Sequence, residues 1–251
     1  MGLRENGSRI KLAGAALAFL AMLPAGGLAA SEAGANAQSS SAQGTPQAPA
    51  KNGSQSDDQR LSVNPVTGQT TASSADFQPL TGSERWKLYF RQSYWSVGAY
   101  VGPLLAALAL DQSRGDPKQW GGGFPGYGRR LASRIAAGDI VQNSFQFSAA
   151  AVLHEDVRYI SSGQHGFKAR AGHAILYSFL TYNNQGRPTL NLANLGGYFV
   201  ASGVSTLWLP GQHRLATYTL TDGSEALGLS VPVNLFQEFW PEINRTLHRR
   251  K

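Results

Sequence analysis

The sequence predicts an all-α fold, a compact bundle of about five helices with close Gly/Ala-rich packing, set behind a disordered N-terminal leader. Three observations carry that reading. Residues 81–84, "TGSE", have the Thr-x-x-Glu order of a capping box, where each side chain satisfies an orphan amide at a helix start. Ala193, Gly197, Ala201 and Ser205 recur every four residues, a ridge of small side chains that lets two helix backbones approach. Only "LATYTLT", 215–221, alternates as a strand does, and it has no obvious partner.

The leader comes first. Residues 1–30 hold Arg4, Arg9 and Lys11, then the uncharged run "LAGAALAFLAMLPAGGLAA", then small residues, which is the order of a secretory signal peptide. The helix-breaking "PAGG" favours cleavage, after Ala30 or Ala37, over a retained anchor. Residues 31–80 are dominated by Ser, Ala, Gly, Asn, Gln, Thr and Pro, too little apolar surface to offset the entropy of ordering, so they predict a disordered linker. The helical domain is then 81–251.

Within it, the first helix runs from Glu84 to Leu110, basic in its first half and uncharged from Ser93 onward, with Pro103 as a kink. The Gly-rich stretch 111–128 has no preceding strand and no Lys-Ser/Thr after it, so it meets neither nucleotide fingerprint and reads as a connector. The second helix spans Arg129 to Asp156, the third Phe167 to Tyr182, the fourth Leu190 to Trp208 and the fifth Ser224 to about Leu247. Gly98, Gly102 and Ala106 repeat the small-residue spacing on the first helix.

Composition narrows the function classes. There is no Cys, which excludes disulfides and a lipidated cysteine. The net charge of +7 comes from residues 81–251, and without the aromatic-basic alternation of nucleic-acid modules it points to a membrane or an anionic envelope polymer as partner, not to nucleic acid. Location in the periplasm or an envelope membrane follows from the signal. No motif names a cofactor, and metal binding is left open.

Chemistry concentrates in "VLHEDVRYISSG" and the "FKARAGHA" that follows it. His154, Glu155, Asp156, Arg158, Arg170 and His173 are the candidate site residues. Two carboxylates at a helix C-terminus oppose the macrodipole and call for compensation, which Arg158, three residues after Glu155, and Arg170 are placed to give. One reading is therefore an ion-pair staple between two helices. The other is a hydrolase-like site for an anionic lipid or wall substrate, with His154 or His173 as general base or metal ligand and an arginine holding the anion. "HEDVR" lacks the second His of a zincin helix, and there is no Gly-x-Ser-x-Gly elbow. Asp139, Asn143, Gln146 and His154 share one helical stripe leading into this cluster.

The succession "LHEDVRY", "RAGHA", a Gly-rich apolar helix and "FQEFWPEI" resembles an uncharacterised family of exported bacterial envelope proteins. The resemblance spans roughly 84–248. It implies a single domain behind a dispensable leader and brings no activity or site residue with it.

Overall fold

The computed structural model describes residues 60–211 and 214–248, and the molecule is mostly helical. The expected signal peptide and the linker as far as residue 59 lie outside the described residues. The capping box forms as read: Thr81 N–H donates to Glu84 Oε2 at 2.7 Å, and Glu84 N–H donates to Thr81 Oγ1 at 3.3 Å. It opens helix α1, Gly82–Phe90, which runs on through a π-helical turn, Arg91–Trp95. There the first expected helix breaks. Ser96 leaves helical geometry and its side chain accepts from Ala99 N–H, so it caps the next helix, α2, Val97–Ala106, bent 48° from the first. The bend sits at this serine cap, and Pro103 lies inside α2.

A second π-helical stretch, Ala107–Gln112, leads to the Gly-rich loop. That loop is more than a connector, because Arg130 is fully buried within it and donates to Asp116 O, Gln112 Oε1, Gly121 O and Pro117 O at 2.7 to 2.9 Å. Helix α3 accordingly starts early, at Gly123, and runs to Ile135. A π-helical stretch, Ala136–Gln142, joins it to α4, Asn143–Leu153. The rod ends where His154 turns into the left-handed region at φ 59°. Glu155 and Asp156 thus lie beyond the helix, not in its last turn.

Helix α5, Phe167–Leu176, also ends sooner than expected, and the turn at "NNQGRP" joins two short antiparallel strands, β3 (Leu180–Tyr182) and β4 (Pro188–Leu190). Helix α6, Leu192–Ser205, follows, then α7, Leu215–His248. The alternating 215–221 is helical, contrary to expectation. Thr221 Oγ1 donates to Thr217 O one turn back at 2.9 Å, and Gly223 lets Phe199 of α6 pack onto the backbone, so tertiary contact overrides the β-preference of the sequence.

The largest departure lies in residues 60–80. They form a strap, not a disordered linker. Its strand β1, Thr71–Ser73, pairs in parallel with β2, Tyr159–Ser161, and Leu61 and Leu80 join Leu88, Tyr89, Phe147, Ala150, Val157 and Ala193 in one core cluster. Asn64 Oδ1 accepts from the backbone of Val66 and Thr67 to shape a turn, and Gly68, at φ +71°, lies so close to α2 that a Cβ on Gly98 would come within 2.2 Å of its nitrogen. Gly98 therefore serves the strap, not a helix-helix ridge. On α6 the ridge is real: Ala193, Gly197, Ala201 and Ser205 are all buried, and a Cβ on Gly197 would stand 3.2 Å from Gln142 Cγ.

Candidate functional site

The six residues singled out in the sequence divide among three arrangements. His154 is exposed, and its carbonyl accepts from Asn184 N–H at 3.0 Å. Glu155 turns away from Arg158: its carboxylate accepts from Leu192 N–H (3.2 Å) and Ala193 N–H (2.9 Å), so it caps α6 at the end where the helix dipole favours a negative charge. Burial pushes its pKa up while those two amides pull it down.

Asp156 is the true partner of Arg158. The guanidinium forks onto both carboxylate oxygens, Nε to Oδ1 at 2.9 Å and Nη2 to Oδ2 at 2.7 Å, and Nη2 also donates to Gln78 O of the strap at 2.7 Å. Both side chains are almost wholly out of solvent. Thr181 Oγ1 donates to Asp156 O and Asp156 N–H to Tyr182 O, each at 2.8 Å, which ties the pair to β3.

Arg170 and His173 converge on a residue that the sequence reading left out. Glu238, on α7, is 3 % exposed. Its carboxylate accepts from Tyr159 Oη at 2.7 Å, from both the hydroxyl and the N–H of Ser162, and from Arg170 Nε at 3.2 Å. Arg170 also donates to Glu238 O and pairs with Glu242 at 2.8 Å, over the ring of Phe239. His173 stacks on Tyr177, with Nδ1 3.9 Å from Glu238 Oε2, and burial pushes its pKa down while that carboxylate pulls it up. The cue in the sequence was an acidic residue set between aromatics in "FQEFWPEI", where a carboxylate facing inward needs partners.

Beside these pairs lies a cavity of about 220 Å³ with a different character. The strap supplies Thr67 and Gln69, the first π-helical turn Gln92, the third Asp139 and Gln142, α4 Asn143 and Gln146, and α6 Asn194 and Tyr198. Three members of the predicted stripe, Asp139, Asn143 and Gln146, face it, and His154 does not. Asp139 is 8 % exposed, its Oδ2 has no hydrogen-bond partner, and burial pushes its pKa up to about 7. A second cavity, about 330 Å³, holds two ion pairs: Arg134 forks onto Asp111 at 2.7 and 2.9 Å, and Arg114 meets Glu225 at 2.8 Å. No group of His, Asp and Glu fit to hold a metal occurs among the described residues.

Comparison with family models, with curated proteins and with solved structures returns no match.

Proposed function

We propose that this is an exported, membrane-associated helical bundle of the bacterial cell envelope with a structural or interaction role, lying against a bilayer through the outer face of α1 and α2. One observation carries the reading. Trp86, Phe90, Trp95, Val97, Leu104, Leu105 and Leu108 form an exposed apolar stripe along those helices, Trp95 being 77 % exposed, while buried positions elsewhere hold Asp, Glu, Arg, Asn and Gln. A soluble monomer rarely shows so long an apolar surface, and Trp beside Lys87 and Arg91 suits the headgroup level of a membrane. Among the described residues no single helix is long and apolar enough to cross a bilayer; the bent α1–α2 pair has that length and composition only when its two arms are taken together, and its exposed apolar side chains suit an in-plane element. The basic balance of the domain fits anionic lipid.

The test is flotation of the full chain with vesicles of phosphatidylcholine and phosphatidylglycerol. Wild type is expected to float, and Trp95→Asp with Leu105→Asp to stay behind with unchanged helical content. Wild type remaining in the lipid-free fraction would end the proposal. The alternative, hydrolysis of an anionic lipid or wall substrate at the 154–173 cluster, has less support, since Glu155, Asp156, Arg158 and Arg170 are each engaged in holding elements together.

A further inference from the structure

In the Asp139 cavity a buried carboxylate presents an oxygen, Oδ2, that meets no hydrogen-bond donor among the described residues. The cavity's polar lining is made of amides, hydroxyls and phenols brought together from distant parts of the chain, and its one guanidinium, Arg158, is already forked onto Asp156. Several amides are fixed by neighbours: Asn143 Nδ2 donates to Ser93 Oγ at 3.1 Å, and Asn234 Nδ2 donates to Ser178 Oγ at 3.0 Å. Gln237 holds the strap over one side, accepting from Asn64 Nδ2 at 3.0 Å and donating to Thr67 Oγ1 at 2.6 Å. Asp139 itself sits in a π-helical stretch, a distortion frequently found at functional sites.

A desolvated carboxylate with an open oxygen is costly to keep, and the cost is recovered when a cation occupies the space before it. Amide carbonyls and phenol rings around it are suited to the remaining N–H donors and to the positive charge. The dimensions admit a molecule of a few heavy atoms and exclude a polymer. We infer that this cavity binds a small ammonium-bearing solute, with Asp139 as the counter-ion and the surrounding Gln and Asn side chains as hydrogen-bond partners. The site is separate from the outer apolar stripe, so the inference stands or falls independently of membrane association.

The titratable and charged groups around Asp139 are Tyr94 on the first π-helical turn, Tyr198 on α6, and Arg158, Tyr159 and Tyr177 across the cavity. Arginine and buried phenols do not change charge between pH 5 and 8, which leaves Asp139 as the group that governs binding there. A cation prefers the ionised carboxylate, so affinity is expected to be full above about 7 and to fall as pH drops through that value.

The experiment is calorimetric titration of the full chain with ethanolamine, and with ethylene glycol as its uncharged counterpart of equal size. Ethanolamine is expected to bind at pH 8, ethylene glycol to give no heat beyond dilution, and Asp139→Asn to weaken ethanolamine by about tenfold or more. Because Asp139→Asn removes an unpaired buried charge, its melting temperature should be equal or higher, which separates loss of binding from loss of fold. Equal binding of the two probes, no ethanolamine binding at all, or full affinity in Asp139→Asn would each overturn the inference.

Discussion

Two buried polar regions lie side by side in this bundle and are built on opposite terms. Around Asp156 and Glu238 every carboxylate meets a guanidinium, a hydroxyl or backbone amides, and the pairs join segments far apart in the chain. Around Asp139 the carboxylate faces amides and open space. The first region is a set of staples, whose worth is measured by what unfolds when one half is removed. The second keeps an unfavourable charge in place, which is the mark of a working residue and not of a stabilising one.

The sharpest way to break that contrast is to remove Arg158. Arg158→Ala leaves Asp156 buried without its partner and frees the strap at Gln78, and should cost about 3 to 5 kcal/mol by chemical denaturation. Adding Asp156→Asn should restore part of that loss, whereas adding Glu155→Gln should not, since Glu155 caps α6 instead. Equal rescue by both would mean that the pairing is misassigned.

Next in size is Gly197→Leu, which drives a side chain into Gln142 on the floor of the cavity and should cost about 1 to 3 kcal/mol, while Leu195→Ile should be nearly neutral. Asp139→Asn should go the other way. The folded pKa of Asp139 is raised, so its contribution to stability is full at acid pH and is lost as pH rises through about 7. At pH 8 the variant should therefore be more stable than wild type by about 1 to 2 kcal/mol, with the gap narrowing as pH falls from about 7 toward about 4. Thermal melts across that range read it directly, and a gap that widens toward acid pH would contradict the unpaired carboxylate. The smallest effect is at His154, where relief of the left-handed backbone by His154→Gly should add about 0.5 to 1 kcal/mol, unlike any change within the paired cluster.

Features read from local chemistry held up. The capping box at Thr81 and the small-residue ridge on α6 depend on residues a few positions apart, and both form. Features set by distant partners were hidden. The strap looked disordered because its composition, averaged over 31–80, conceals Leu61, Ala72 and Leu80, which bury themselves only against α1, α4 and β2. Glu155 and Arg158 looked paired because helical spacing was extended past Leu153, and the left-handed turn at His154 sends the two side chains to different neighbours. Glu238 went unnoticed since its four partners, Tyr159, Ser162, Arg170 and His173, come from parts of the chain far before it. The cavity was half visible, as the stripe Asp139, Asn143 and Gln146, without its opposite wall.

The parallel pairing of β1 with β2 also sets an order of assembly. Part of the strap can meet α1 and α2 early, but Ser74 waits for Ser162, 88 residues later, and Asn64 for Gln237, 173 residues later, so it cannot dock fully until nearly the whole domain has been made. Closing loops of that length is slow and brings no local reward on the way. The segment nearest the N-terminus of the described fold is then the last to arrive, and until it does the amide-lined space stays open on the side that Thr67 and Gln69 later close. A newly made chain would pass through a form with its helices in place and its cavity unroofed, and amide exchange at Thr71–Ser73 should become protected later than exchange in α6.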